Sequence, residues 1–159
     1  MIPSKAHPDD IDQYTQGSCH ILAVALQRHL GWQIEVVRQD DEIWWQDDHD
    51  PDNFITSVLH VYAISPDGQA WDIRGVRPEG DIPGEIQNQY HCLEISSDTC
   101  RNEGELSTYV GTMEDEHGEQ VELPLWSYTD QDVNEAWQVG QRTLSHLPGF
   151  IPAPRKMKP

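Results

Sequence analysis

A five-residue turn between two runs of strand-forming residues constrains this chain more than any other feature. Ser65-Pro66-Asp67-Gly68-Gln69 follows residues 57–64 and precedes residues 70–74, and both runs are rich in apolar and β-branched residues. Proline, aspartate and glycine stand in the order typical of a type I turn followed by a G1 bulge. This turn predicts that Ser65 faces Gln69, so that Tyr62 faces Asp72 across the hairpin.

The register of this hairpin decides whether a histidine and a carboxylate can meet. His60 lies two residues from Tyr62 and therefore shares its face of the strand. His60 and Asp72 become diagonal neighbours, ~7–8 Å apart at the backbone and within side-chain reach. A two-residue turn at Asp67-Gly68 would shift the pairing by one residue and put the two side chains on opposite faces.

A cysteine opens the first predicted helix. Residues 18–30 carry apolar side chains at helical spacing from Leu22 to Leu30, with Ser18 as the expected N-cap and Gly31 directly after the end. Cys19 therefore lies where unpaired N–H groups and the helix dipole stabilise a thiolate. A thiolate nucleophile needs a base, and that base needs an orienting group.

Of two polar residues near this cysteine, one is expected to take part in catalysis and the other is not. Gln13 stands six residues before Cys19, and its amide could form an oxyanion hole together with the Cys19 backbone N–H. His20 directly follows Cys19 and points about 100° around the helix, so we expect it to be a poor base.

The segments GSCHILAVAL and HVYAISPDGQAWDIRG, with the preceding glutamine, resemble the papain-like thiol hydrolases over roughly residues 13–77. They resemble compact bacterial and phage members, including the papain-like protein-glutamine deamidase toxins, more than papain itself. The resemblance implies an α+β fold in which an N-terminal helix bearing Cys19 packs on an antiparallel sheet bearing His60 and Asp72. It also implies that Cys19 is the nucleophile, His60 the base, Asp72 the orienting group and Gln13 the oxyanion donor.

The sequence departs from papain at two positions of this motif. Asp72 replaces an asparagine, as it does in many compact relatives, and His20 replaces the tryptophan after the nucleophile. The chain of 159 residues also has no room for large insertions around a substrate cleft.

The remainder of the chain predicts a single domain, residues 1–159, with a second helix. An irregular arm is expected over residues 1–12, a loop over 78–90 and a Pro-rich basic tail over 150–159. Apolar residues at helical spacing predict the second helix over 129–147, with Thr129 as its N-cap. Short strands are expected over 90–95, 106–112 and 120–125.

An acidic, aromatic segment over residues 40–53 directly precedes the strand of His60. We expect it to be a lid or surface loop at the rim of the site, with Trp44 and Trp45 as apolar contacts to the substrate. A solvated loop whose tryptophans complete the core is the alternative. Arg74 is expected either to neutralise Asp72 or to touch the substrate.

Composition excludes several classes of partner. The chain has 28 acidic and 10 basic residues, a net charge of −18, which disfavours nucleic acid and anionic membrane surfaces. The longest uncharged apolar run, residues 21–26, is too short to span a membrane, and the N-terminus lacks the apolar core of a signal peptide. We therefore expect a cytoplasmic protein, with export by a route without a cleavable signal left open.

The cysteines and acidic clusters do not predict a metal site or a cofactor. Three cysteines are an odd number, and Cys92 and Cys100 lack the spacing of zinc ligands. The alternating acids over residues 48–52 lack the glycine and the final glutamate of a calcium loop.

Two functions remain open at this stage. The first is a thiol-dependent hydrolase or acyl transferase, a toxin or effector in biological role, that acts on an amide bond of a basic protein or peptide. Cysteine peptidase, glutamine deamidase and transglutaminase share one acyl-enzyme and are not separated by these residues. The second is a catalytically silent acidic interaction protein, a decoy or a mimic of nucleic acid.

Overall fold

The computed structural model describes residues 1–15, 17–39, 58–90 and 95–152. They form helices packed on an antiparallel sheet, so the predicted α+β class is confirmed. The helices are α1 (Pro8–Thr15), α2 (Cys19–Leu30), α3 (Ile82–Tyr90), α4 (Glu103–Leu106) and α5 (Asp130–Leu144). The strands are β1 (Ile2–Pro3), β2 (Gln33–Gln39), β3 (Val58–Ile64), β4 (Gln69–Asp72), β5 (Gly75–Pro78), β6 (Ile95–Cys100), β7 (Thr112–Glu114) and β8 (Gln120–Glu122).

The main sheet runs in the order β1-β5-β4-β3-β2-β6, and each neighbouring pair is antiparallel. In the β3–β4 hairpin Ala63 pairs with Trp71, and the Ser65 N–H donates to the Gln69 carbonyl at 3.0 Å. Gly68 has a φ of 80°, the left-handed conformation of a G1 bulge. The predicted turn and the predicted register are confirmed.

Helices cover both faces of this sheet. Buried residues of α2 and α5, such as Leu22, Leu26 and Val133, pack with Ile34 and Val61 in the main core. On the opposite face, Ile82 and Ile86 of α3 pack against Val37, Tyr62 and Ala70. Because side chains alternate along a strand, His60 lies on the α3 face, as Tyr62 does.

Helix α2 begins at Cys19 as the sequence predicts, and Gly31, with a φ of 73°, caps its end after Leu30. Ser18 occupies the N-cap position, but its side chain makes no capping hydrogen bond. Helix α5 also matches its prediction within three residues, and Thr129 forms a capping box with Asp132.

The expectation of an irregular arm over residues 1–12 is wrong. Ile2 pairs with Val76, so β1 extends the sheet beyond β5. Helix α1 starts at Pro8, which lacks an N–H where a helix leaves one unpaired, and Asp9 and Asp10 favour its positive end. The polar composition of this segment did not predict a helix, because the helix is stabilised by docking on the core through residues such as Tyr14.

The expectation of a loop over residues 78–90 is also wrong, because α3 spans most of it. Pro83 is the second residue of α3, where proline is tolerated, and Ile82 and Ile86 are spaced by one helical turn. The strand expected over 106–112 is wrong, because Leu106 ends α4, Ser107–Tyr109 form a 3₁₀ turn and only Thr112 lies in a strand. The strand expected over 120–125 is β8, which ends at Glu122. Of the strand expected over 90–95, Ile95 begins β6, whereas Tyr90 ends α3.

Several predictions fall outside the described residues. These are the lid over residues 40–53, most of the strand over 90–95, Cys92, and residues 153–159 of the tail. In the part of the chain that the structure describes, no helix has the length and apolar character needed to cross a bilayer.

We expect Gly75→Ala to destabilise the fold far more than Gly68→Ala. Gly75 has a φ of 140°, and a Cβ there would lie 2.1 Å from the Ile2 carbonyl oxygen, so β1 would have to leave β5. A cost of about 3 kcal/mol is expected from the clash and the strain.

The matched control, Gly68→Ala, shares the positive φ, but no described atom lies within 4 Å of the added Cβ. Its cost is expected to be about 1 kcal/mol. The free energies of unfolding in urea measure both values, and equal losses would contradict the close contact between β1 and Gly75.

Candidate active site

The structure brings Cys19, His60 and Asp72 together from three elements. Cys19 is the first residue of α2, His60 lies in β3, and Asp72 ends β4. The His60 Nε2 atom lies 2.9 Å from Asp72 Oδ2, and both side chains are buried. The diagonal contact predicted from the turn is therefore present in the fold.

Asp72 is held as a buried carboxylate by a partner that the sequence analysis missed. Arg77 of β5 donates from Nη1 to Oδ1 at 3.0 Å and from Nη2 to Oδ2 at 2.8 Å. Burial alone would raise the pKa of Asp72, but His60 and Arg77 outweigh it and hold this pKa well below its usual range. Arg77 in turn donates through Nε to Glu85 of α3 at 2.6 Å.

The pKa values of Cys19 and His60 move in opposite directions. Burial would raise the pKa of the Cys19 thiol, but the His20 and His60 side chains outweigh it and lower the pKa to about 6. Burial would lower the pKa of His60, but hydrogen bonding to Asp72 and Cys19 raises it to about 9. Between these values a thiolate faces an imidazolium, and Nδ1 is the ring nitrogen left for the thiol because Asp72 engages Nε2.

His20 lowers the pKa of the Cys19 thiol, and the expectation that it is a poor base stays a prediction. Its ring is fully buried, and Nε2 lies 2.8 Å from the Trp126 carbonyl oxygen, to which it donates. Its Nδ1 has no hydrogen-bond partner among the described residues. The Trp126 carbonyl therefore holds the His20 ring in one position, and the place of His20 directly after Cys19 was the signal available in the sequence.

The structure does not bring the other predicted residues together in the same way. Gln13 is exposed on α1, and the α1 residue that lines the neighbouring cavities is Thr15, so the oxyanion role of Gln13 stays a prediction. Arg74 lines the small cavity beside His60, and its backbone N–H donates to Asp72 Oδ1 at 2.9 Å. The side chain that pairs with the charge of Asp72 is that of Arg77, whereas Arg74, in the turn after β4, contacts Asp72 through its backbone. Trp44 and Trp45 lie outside the described residues.

A cleft of about 270 Å³ gives access to the thiol. Cys19 lines it together with Gly17, Leu59, Leu125 and Trp126, among others. Most of the residues that line it are apolar in type, but polar atoms make up the larger part of its surface. The thiol in this cleft is polarised by His60 and His20, and a carbonyl carbon that enters the cleft can approach Sγ.

The titratable groups of the site do not form a metal cluster. Among the described residues, no three His, Cys, Asp or Glu side chains are grouped so that they could hold a metal ion. What the arrangement offers is an acidic thiol, an imidazole that can exchange a proton, and a buried carboxylate that orients the imidazole.

Comparisons with known proteins found no relative. No protein-family model matches the chain, and no curated protein and no solved structure matches it. The chemistry of the site is therefore interpreted from its own geometry.

We expect Cys19 to react with iodoacetamide as an acidic thiol. Because its pKa is about 6, the alkylation rate should rise with a midpoint near pH 6. Burial raises the pKa of Cys100 to about 11, so its labelling should still be increasing at pH 9. Peptide mass analysis after brief labelling at each pH measures both profiles in one protein. Coincident pH profiles for the two thiols would contradict the assigned site.

We expect Arg77→Met to destabilise the fold by about 3 kcal/mol at pH 7, because it leaves Asp72 buried beside one cation fewer. The lowered pKa of Asp72 adds stability that is complete above its unfolded value, near 4, and is lost as the pH falls. Arg77→Met raises this pKa, so the stability difference from the unmodified protein should shrink at pH 3. Urea unfolding at both pH values measures it.

The control for this variant is Arg74→Met, which removes a cation near the same carboxylate. Its expected cost is below about 0.5 kcal/mol, because Asp72 accepts only the backbone N–H of Arg74. Equal losses from the two variants would show that net charge, rather than the buried pair, determines the effect.

Proposed function

We propose that this protein is a thiol-dependent hydrolase or acyl transferase that attacks an amide carbonyl through Cys19. The observation that carries the proposal is the buried contact of His60 with Asp72 at 2.9 Å, next to a thiol whose pKa is lowered to about 6. A buried cysteine without catalytic use has its thiol pKa raised by burial, as Cys100 does. The opposite direction at Cys19 favours a nucleophile.

In the first half of the reaction the Cys19 thiolate attacks the carbonyl carbon, a C–S bond forms, and an electron pair moves to the carbonyl oxygen. As the oxygen returns this pair, the C–N bond breaks, and the imidazolium of His60 protonates the departing amine. The N–H of the first residue of a helix has no partner within the helix, so the Cys19 backbone N–H is available to the oxyanion. The product of this half is a thioester on Cys19.

In the second half His60 removes a proton from water or from an amine, and that nucleophile attacks the thioester. The C–S bond breaks, and the thiolate and the imidazolium are regenerated. Asp72 stays ionised and holds the imidazole in one orientation, which is the work of an orienting carboxylate in such a triad. Arg77 keeps that carboxylate ionised.

We propose in addition that the fold is papain-like. It is supported by the order of the parts along the chain: a cysteine at the start of a helix, then a histidine on a strand, then an aspartate on the next strand. It is supported equally by the antiparallel pairing of β3 with β4.

We propose a protein or peptide with a basic surface as the substrate. The net charge is −18, and the arginines at positions 28, 77 and 142 are already paired with acids of the chain. The remaining acidic groups give a negative field that attracts cationic partners. The predicted contacts of Trp44 and Trp45 with such a substrate, in the lid over residues 40–53, remain part of this proposal.

The same charge favours a second candidate, an acidic interaction protein without catalysis. In that case the thiol would be an incidental buried residue, and binding of a basic partner would be the whole function. The two candidates differ in whether Cys19 turns over a substrate.

We expect turnover on basic polypeptides to depend on Cys19 and His60. The purified protein is incubated with a library of lysine- and arginine-containing peptides, and mass spectrometry records cleavage, glutamine-to-glutamate conversion and amine incorporation together. Cys19→Ala should abolish all change, and His60→Ala should slow it by roughly 10²–10⁴-fold. Asp72→Asn should lose most of the rate, and its fold is checked separately because the buried Arg77 then keeps only Glu85 as an anionic partner.

Cys100→Ala is the control, because it removes a buried thiol that lies outside the proposed site. Its turnover should match that of the unmodified protein once both are folded. Binding of basic peptides without any covalent change, unaltered in Cys19→Ala, would instead establish the interaction protein.

A further inference from the structure

An exposed tryptophan stands beside the thiol. Trp126 is 69% exposed, although large aromatic side chains are normally buried. It lines the cleft that contains Cys19, and it also lines a second cleft of about 370 Å³ together with Glu122 and Leu123. The indole is therefore shared by the cleft of the thiol and a neighbouring cleft that contains a carboxylate.

The backbone around this tryptophan is held in place. The Leu125 N–H donates to the Tyr109 carbonyl and the Leu125 carbonyl accepts from the Gly111 N–H, both at 2.9 Å. The Trp126 carbonyl accepts from Nε2 of His20, the residue after the nucleophile. The backbone position of Trp126 relative to Cys19 is therefore set before any substrate binds.

The ring itself packs over a glycine. A Cβ at Gly17 would lie 3.3 Å from the Trp126 ring, and Gly17 has a φ of 123°. One part of the indole thus rests on the backbone just ahead of Cys19, while most of its surface remains open to solvent. An indole that is supported by the backbone on one side and exposed elsewhere offers an aromatic face to a ligand.

The hairpin that borders the second cleft is strongly acidic. Residues 112–123, which include β7 and β8, contain five acids and neither lysine nor arginine. Glu122 lines the same cleft as Trp126 and is itself exposed. An aromatic face next to a carboxylate is a combination that binds an ammonium or guanidinium group, through the ring quadrupole and through charge.

We propose that Trp126 and Glu122 form a subsite for a lysine or arginine side chain of the polypeptide substrate. The cationic group lies over the indole and pairs with Glu122, while the neighbouring amide carbonyl enters the cleft at Cys19. This subsite rests on the proposed thiol chemistry and specifies its substrate: an amide flanked by a basic residue. The subsite recognises a cationic side chain of the substrate through both residues, whereas an apolar side chain would contact only the indole.

The experiment compares peptidyl electrophiles that differ in one charge. Two pairs of peptides carry a thiol-reactive group at the carboxyl end, with arginine or its neutral isostere citrulline at either the last or the next-to-last position. The second-order rate of Cys19 labelling is measured for each by intact mass, and the ratio of arginine to citrulline gives the preference. The unmodified protein should prefer arginine roughly tenfold in at least one pair.

The variants separate the two parts of the subsite. Glu122→Gln should reduce the preference several-fold, whereas the matched control Glu119→Gln, on the same hairpin and also exposed, should keep it. Trp126→Leu keeps apolar surface but removes the aromatic face, and it should also reduce the preference. Because the preference is a ratio within one variant, a change in thiol reactivity cancels.

The failure of the subsite differs from the failure of the proposed function. If Cys19 reacts with every probe but shows no preference for arginine, the subsite is overturned and the thiol chemistry stands. A preference that survives both Trp126→Leu and Glu122→Gln, or is lost equally in Glu119→Gln, also overturns it. If no electrophile labels Cys19, both proposals are overturned.

Discussion

A buried, ionised carboxylate is the constraint on which the site depends. Asp72 is 4% exposed and accepts hydrogen bonds from His60, from two nitrogens of Arg77 and from the Arg74 backbone N–H. A charge at this depth is tolerated only when such partners surround it. Strands β3, β4 and β5 supply His60, Asp72 and Arg77 in turn. The need to surround this carboxylate therefore accounts both for the adjacency of the three strands and for the orientation of the imidazole.

The parts that follow from local chemistry were predictable from the sequence. The turn over residues 65–69 contains proline, aspartate and glycine, whose backbone preferences select one turn type and hence one register. The contact between His60 and Asp72 follows from that register. The start of α2 at Cys19 and its end at Gly31 likewise depend on residues adjacent in the chain.

The parts that depend on packing were not predictable in the same way. Helices α1 and α3 have short, polar or proline-containing sequences, and they are helical because they dock on a sheet formed by distant segments. Arg77 was missed because its role depends on the tight turn between β4 and β5, which returns the chain to Asp72. The environment of His20 could not be predicted, because its ring is fixed by the Trp126 carbonyl, 106 residues away.

The acid–base part of the site is continuous in sequence, whereas the thiol is not. His60, Asp72, Arg77 and Glu85 belong to consecutive elements from β3 to α3, while Cys19 comes from a helix before the preceding strand. Contacts close in sequence cost less loop-closure entropy to form than distant ones. The histidine–carboxylate unit is thus expected to assemble first, and the thiol joins it when α2 docks. A nascent or partly folded chain then carries an ordinary, slowly reacting cysteine, so that chemical reactivity appears only with the finished fold.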